Sequence, residues 1–139
     1  MIGNLKHSDL TESIIEAFYS VYNCLGFGFL ENVYQNALYL ELKKRGFKVE
    51  TEKAINVNFE GNIVGKYKAD MLVNGKVILE LKAVEILSNE HELQLLNYLK
   101  ATDIEFRLLL NFGKKAQIKR KIYNNEYKIN INKNLCESV

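Results

Sequence analysis

Asp70, Glu80 and Lys82 are the residues of this chain best placed to do chemistry together. They lie in segment 67–84, YKADMLVNGKVILELKAV, which reads at period two as two strands joined by Asn74-Gly75, the strongest short hairpin signal. On the first strand Lys66, Lys68, Asp70 and Leu72 share one face, and Tyr67, Ala69, Met71 and Val73 share the other. On the second, Val77, Leu79, Leu81 and Ala83 make an apolar face, while Glu80 and Lys82 point the opposite way with Ile78 and Val84. Same-face neighbours sit about 7 Å apart along a strand, so Glu80 and Lys82 reach into one pocket. The hairpin can bring Asp70 alongside.

Two converging carboxylates repel each other, and they either share a proton or hold a cation between them. Oxygen ligands alone select Mg²⁺ or Mn²⁺. Such an ion can polarise a phosphodiester and acidify a water. A lysine beside it can orient or help deprotonate that water and offset charge on phosphorus. The plain alternative is a hairpin carrying an exposed Glu–Lys pair, worth little energetically. An Asp followed ten residues later by Glu-x-Lys arises by chance in many chains, so these letters alone do not decide.

The elements that must position these groups fit one domain over residues 1–139, large enough to bury a core. The composition, 47% hydrophobic and 26% charged, is that of a globular protein, and no apolar run is long enough to span a membrane. MIGNLKHSDL lacks a signal peptide's apolar core, and Cys24 and Cys136 lie too far apart to suggest a metal knuckle or a disulfide framework. A cytoplasmic location fits these features best, with Cys24 as a small core residue near a helix end. The net charge of +2 hides an asymmetry: Lys114, Lys115, Lys119, Arg120, Lys121, Lys128 and Lys133 face Glu126 alone within residues 113–133. That segment reads equally as a surface that meets phosphates or as a solvated tail.

Ser8 or Asp9 is the expected cap of a first helix, in which Ile14, Ile15, Phe18, Val21, Tyr22 and Leu25 recur at helical spacing up to Gly26. A second helix is expected over 30–45, with apolar residues nearly encircling it, which predicts burial on more than one side; Gly46 stops it. Glu31 in its first turn suits the helix dipole, and Tyr34 reads as core. Strands are expected over 47–59, 62–73 and 76–84 as an antiparallel meander. Ser88 is a cap for a helix over 90–100, whose His91, Gln94 and Tyr98 share a face that could overlook the pocket or simply meet solvent and core. A strand over 104–112 returns as a parallel crossover, and 117–131 alternates like a strand with a turn at Asn124-Asn125. The predicted class is α/β (α+β mixed sheet), in the order helix, helix, three strands, helix, strand, with a C-terminal strand.

Gly28-Phe29-Leu30-Glu31-Asn32-Val33-Tyr34, Tyr67-Lys68-Ala69-Asp70, Glu80-Leu81-Lys82, the His91–Lys100 stretch HELQLLNYLK and Leu109-Leu110-Asn111-Phe112-Gly113 occur in that order and spacing. In these the sequence resembles the GxxExxY proteins of the PD-(D/E)XK nuclease superfamily, over about residues 8 to 122. It departs from them at Phe27, where proline is common, and at Tyr22, where histidine is expected. The resemblance implies a restriction-endonuclease-like core, with Asp70 and Glu80 as metal ligands and Lys82 as the catalytic lysine. It implies Glu31 as a further carboxylate on the metal, and it matches Gln94 and Tyr98 to the Gln-x-x-x-Tyr element of the exonuclease-like branch. The expectation is a Mg²⁺- or Mn²⁺-dependent nuclease acting on DNA or RNA, with no membrane partner. The rival is a catalytically silent nuclease-like fold that binds nucleic acid or protein, and a third reading is a homodimer whose pairing supplies the groove.

Overall fold

The computed structural model describes residues 2–87 and 102–122. Two helices, α1 (Ile2–Leu25) and α2 (Glu31–Lys44), precede a sheet of β1 (Val49–Phe59), β2 (Asn62–Val73), β3 (Val77–Lys82), β4 (Phe106–Phe112) and β5 (Ala116–Ile122). The strands lie in sequence order. All neighbours are antiparallel except β3 and β4, which run parallel from Val77↔Phe106 to Lys82↔Asn111. The mixed α/β class and the parallel return are therefore as expected. The helix expected over 90–100 and the strand residues beyond 122 lie outside the described residues.

α1 starts before the expected cap, at Ile2, so Ser8 and Asp9 lie within it. A cap contributes only about 1 kcal/mol, and residues with ordinary helix propensity can carry a helix past one. Its stripe of Leu10, Ile14, Ala17, Phe18 and Val21 is buried. Cys24, in the last turn of α1, is exposed, which corrects the expectation of a core thiol. α2 also departs from expectation: it buries one stripe, Tyr34, Leu38 and Leu42, while Leu40 is exposed. Its end is closed by a Schellman arrangement in which Gly46 N donates to Lys43 O and Phe47 N to Leu42 O, with Gly46 at φ 91°. That use of Phe47 delays β1 to Val49.

Both helices cover one face of the sheet. There Phe18, Tyr34, Leu38, Met71, Val73, Leu79, Leu81, Leu110 and Phe112 form a continuous buried core. The Phe112 ring stacks on Tyr34 at 4.3 Å between centroids and takes the edge of Phe18 at 4.7 Å. Ile55, Ala69, Leu72 and Ile78 form a smaller cluster.

Candidate active site

The β2–β3 connection sets the site. Asn74 and Gly75 both stand at positive φ, and Lys76 N donates to Val73 O at 3.0 Å. Lys76 is then an extra residue, because the ladder pairs Val73 with Val77, Leu72 with Ile78 and Met71 with Leu79. That register carries Asp70 opposite Glu80. A two-residue turn pairing Val73 with Lys76 would have set Asp70 opposite Leu79, since a shift of one residue exchanges faces. The extra lysine thus puts both carboxylates on one side.

Asp70 and Glu80 lie close enough for each to act on the other's titration. The β2–β3 ladder stops at Met71↔Leu79, and the Asp70 carboxylate takes over: its Oδ2 accepts from Leu81 N at 2.7 Å. Glu80 accepts from the Tyr67 hydroxyl at Oε2 and faces Lys82 Nζ across 3.7 Å at Oε1. The Glu80 side chain is 12% exposed and that of Lys82 23%, so the pair sits in a shielded notch open to solvent on one side.

Burial pushes the Glu80 carboxyl up from 4.5 to about 7, and the Asp70 charge adds to this, against the Tyr67 hydroxyl and the Lys82 ammonium. Asp70 is also raised, first by burial, with the Leu81 amide opposing and the charge of Glu52 adding to the rise. Both carboxyls are therefore biased toward the protonated form, and sharing a proton is one of the two solutions open to converging carboxylates. A hard divalent cation is the other. Mg²⁺ takes one or two carboxylates, keeps several waters and needs no third protein ligand, so the donor set fits such an ion.

The structure brings together Asp70, Glu80 and Lys82 of the residues singled out from the sequence. Glu31 is exposed at the first position of α2, and among the described residues no three acidic, histidine or cysteine side chains converge. Gln94 and Tyr98 lie outside the described residues.

Two participants are not evident from the sequence. Alternation places Tyr67 on the face away from Asp70, yet its hydroxyl reaches Glu80. There the β1–β2 ladder keeps its register from Thr51↔Met71 to Lys53↔Ala69 but leaves Glu52 and Asp70 unpaired in it, and Glu52 stands at φ 51°. Across it Ala69 and Met71, two residues apart, pack in different clusters. Glu52 itself is the second: it is close enough for its charge to act on Asp70. A non-glycine residue at positive φ leaves no reliable mark in a sequence.

Asn111 fixes the strand end that carries Lys82. Its side chain accepts from Val84 N at 3.0 Å, donates to Val84 O at 2.8 Å and donates to Gln117 Oε1 at 2.9 Å. A Cβ at Gly113 would collide with Val84 O and crowd the Asn111 amide, so glycine there is required by close approach.

Residues 8–121 match the family model described as the PD-(D/E)XK nuclease superfamily. Among solved structures, the chain is similar to the crystal structure of SSO0001, with a TM-score of 0.52 and 18% identity over 73% of this chain. It spans 55% of the length of that protein, and at such identity the likeness concerns the fold alone. No curated protein matches the sequence.

Proposed function

The chain belongs to the PD-(D/E)XK nuclease superfamily, and we propose that it is a divalent-metal-dependent nuclease whose reacting groups are Asp70, Glu80 and Lys82. The observation that carries this reading is the convergence of two carboxylates with raised proton affinity and an ammonium in one notch. Membership in the superfamily implies nucleic acid as the partner, and no described helix is long and apolar enough to cross a membrane.

Asp70 and Glu80 would hold the ion, which when bound supplies Lewis-acid polarisation of a phosphodiester and a more acidic water. These carboxyls would hold the ion in their ionised form, in competition with protonation, so its affinity would rise with pH. The Leu81 amide and the Tyr67 hydroxyl hold one oxygen of each carboxylate and fix their aim. Lys82 sits where its charge can orient an attacking water and offset charge gathering on the phosphoryl oxygens. Gly28, Glu31 and Tyr34 support a finer placement among the GxxExxY proteins. Gln94 and Tyr98 are assigned, on that resemblance, to steadying Lys82 or a phosphate.

Incubation of nucleic acid with Mg²⁺ or Mn²⁺ tests the reading. Wild type is expected to nick or degrade it, and Lys82→Ala and Asp70→Ala are expected not to. Equal activity in all three overturns the assignment. Metal-independent association in EDTA, unchanged by Lys82→Ala and without turnover, supports a silent binding fold instead.

A further inference from the structure

The α1–α2 connection and the β4–β5 turn meet at the end of the sheet where β3 and β4 finish. Phe27 and Phe29, in that connection, are 56% and 48% exposed. Paired aromatic rings on a surface call for an explanation that single apolar residues do not. The backbone that carries them is held in place. Gly26 and Gly28 take φ 70° and 112°, and Gly26 N closes α1 on Tyr22 O at 2.7 Å. The Tyr34 hydroxyl donates to Gly26 O at 2.6 Å and accepts from Phe29 N at 3.2 Å, while the Tyr34 ring receives Phe29 edge-on. From the other side, the Tyr22 hydroxyl lies 2.8 Å from the carbonyls of both Gly113 and Lys114.

One aromatic cluster, Tyr22, Tyr34 and Phe112, therefore anchors both loops. The second loop carries Lys114 and Lys115, both exposed, and Lys119, Arg120 and Lys121 lie beyond them on exposed β5. The Lys114 ammonium lies 3.9 Å from the carboxylate of exposed Glu85, a loose contact. The strand end that carries Lys82 lies at the same end of the sheet: Lys82 pairs with Asn111, two residues before Gly113.

We propose that this surface binds an unpaired strand of nucleic acid, with Phe27 and Phe29 stacking on bases and Lys114 and Lys115 meeting the backbone. The charge argues for this occupant: exposed Lys114 and Lys115, continued by Lys119, Arg120 and Lys121, complement a polyanion. A duplex keeps its bases stacked inside and offers these rings nothing, whereas exposed bases stack on aromatic side chains whatever their sequence. Strand binding rests on the nuclease reading only for the cleavage step after it, where it makes single strands, or the frayed ends of duplexes, the substrate class.

Fluorescence anisotropy with a labelled single-stranded DNA of about fifteen nucleotides, against a blunt duplex and in EDTA, tests it without catalysis. Wild type is expected to bind the single strand more tightly than the duplex. Phe27→Ala is expected to weaken single-strand binding by about tenfold and leave duplex binding unchanged, and Phe27→Tyr to retain it. Lys114→Ala/Lys115→Ala is expected to lower the salt slope by about 1.4. Single-strand affinity within twofold of wild type in Phe27→Ala overturns the proposal. So does equal affinity for duplex, or a dimer that Phe27→Ala converts to monomer without loss of binding. The two readings fail separately: Phe27-dependent binding without metal-dependent cleavage sinks the nuclease, and cleavage indifferent to Phe27 sinks only the strand-binding surface.

Discussion

The two faces of the sheet near β3 are built on opposite terms. On the helix side Leu79 and Leu81 meet Phe18, Tyr34, Leu38 and Phe112, all apolar or with their polar ends satisfied. On the other side Glu80 and Lys82 alternate with those leucines, and Glu80 lies against Asp70, so carboxyls are withdrawn from water and burial, first of all, raises both; the Asp70 charge adds to the rise of Glu80. Burial of apolar surface stabilises at about 25 cal/mol per Å², while burial of like charges costs free energy. The difference teaches which residues serve the fold and which are carried at its expense: one six-residue strand does both.

Truncation on the helix side should have the largest effect. Phe112→Ala removes a ring packed between Tyr34 and Phe18 and is expected to cost about 3–5 kcal/mol in urea unfolding. A loss under about 1 kcal/mol would mean that the helical face is not the stabilising one. On the opposite face, Lys82→Ala should lower the cleavage rate by about 10²–10³-fold with little change in stability. A parallel loss of stability would erase the contrast.

The acids themselves give the next effect. Folding raises Glu80 from 4.5 to about 7 and raises Asp70 as well, so between those pH values the folded chain keeps a proton that the unfolded chain has lost. Metal-free stability should therefore be highest near pH 4.5 and fall as pH rises through about 7, by on the order of 2 kcal/mol. Glu80→Gln should flatten that dependence in a thermal-melt series. A melting temperature that instead climbs over the same range would show that the carboxylates are not the shielded pair described. Tyr67→Phe removes a donor to ionised Glu80, so it should raise that carboxyl further and weaken Mn²⁺ binding severalfold at neutral pH, as isothermal titration would show. Glu31→Gln should change least. Its exposed place at the start of α2 predicts a loss of a few tenths of a kcal/mol in helix stability and activity within about threefold. A drop as deep as that of Lys82→Ala would instead support a place for Glu31 in the ligand set.

Much of this is legible in the residues, for reasons that also mark where legibility ends. Period-two alternation places Glu80 and Lys82 on one side of β3, and Asn74-Gly75 marks the turn. The extra Lys76, on which the facing of Asp70 depends, is set by how the strands twist into that turn rather than by the turn residues. Gly26 and Gly46 announce the helix ends, but a run of apolar letters in α2 overstates its burial because Leu40 meets no partner surface. Tyr67 falls on the wrong face by alternation, which assumes an unbroken ladder, and Glu52 breaks it. Resemblance supplies Glu31 a role that no local pattern could, and in the structure it stands exposed at the start of α2.

The central claim is that Asp70 and Glu80 grip one hard cation beside Lys82. Anomalous diffraction from a crystal soaked in Mn²⁺ above pH 7 addresses it directly. A peak about 2.0–2.2 Å from a carboxylate oxygen of each acid is expected, lost in Asp70→Ala. A peak held elsewhere, with no density between these two side chains, would contradict it.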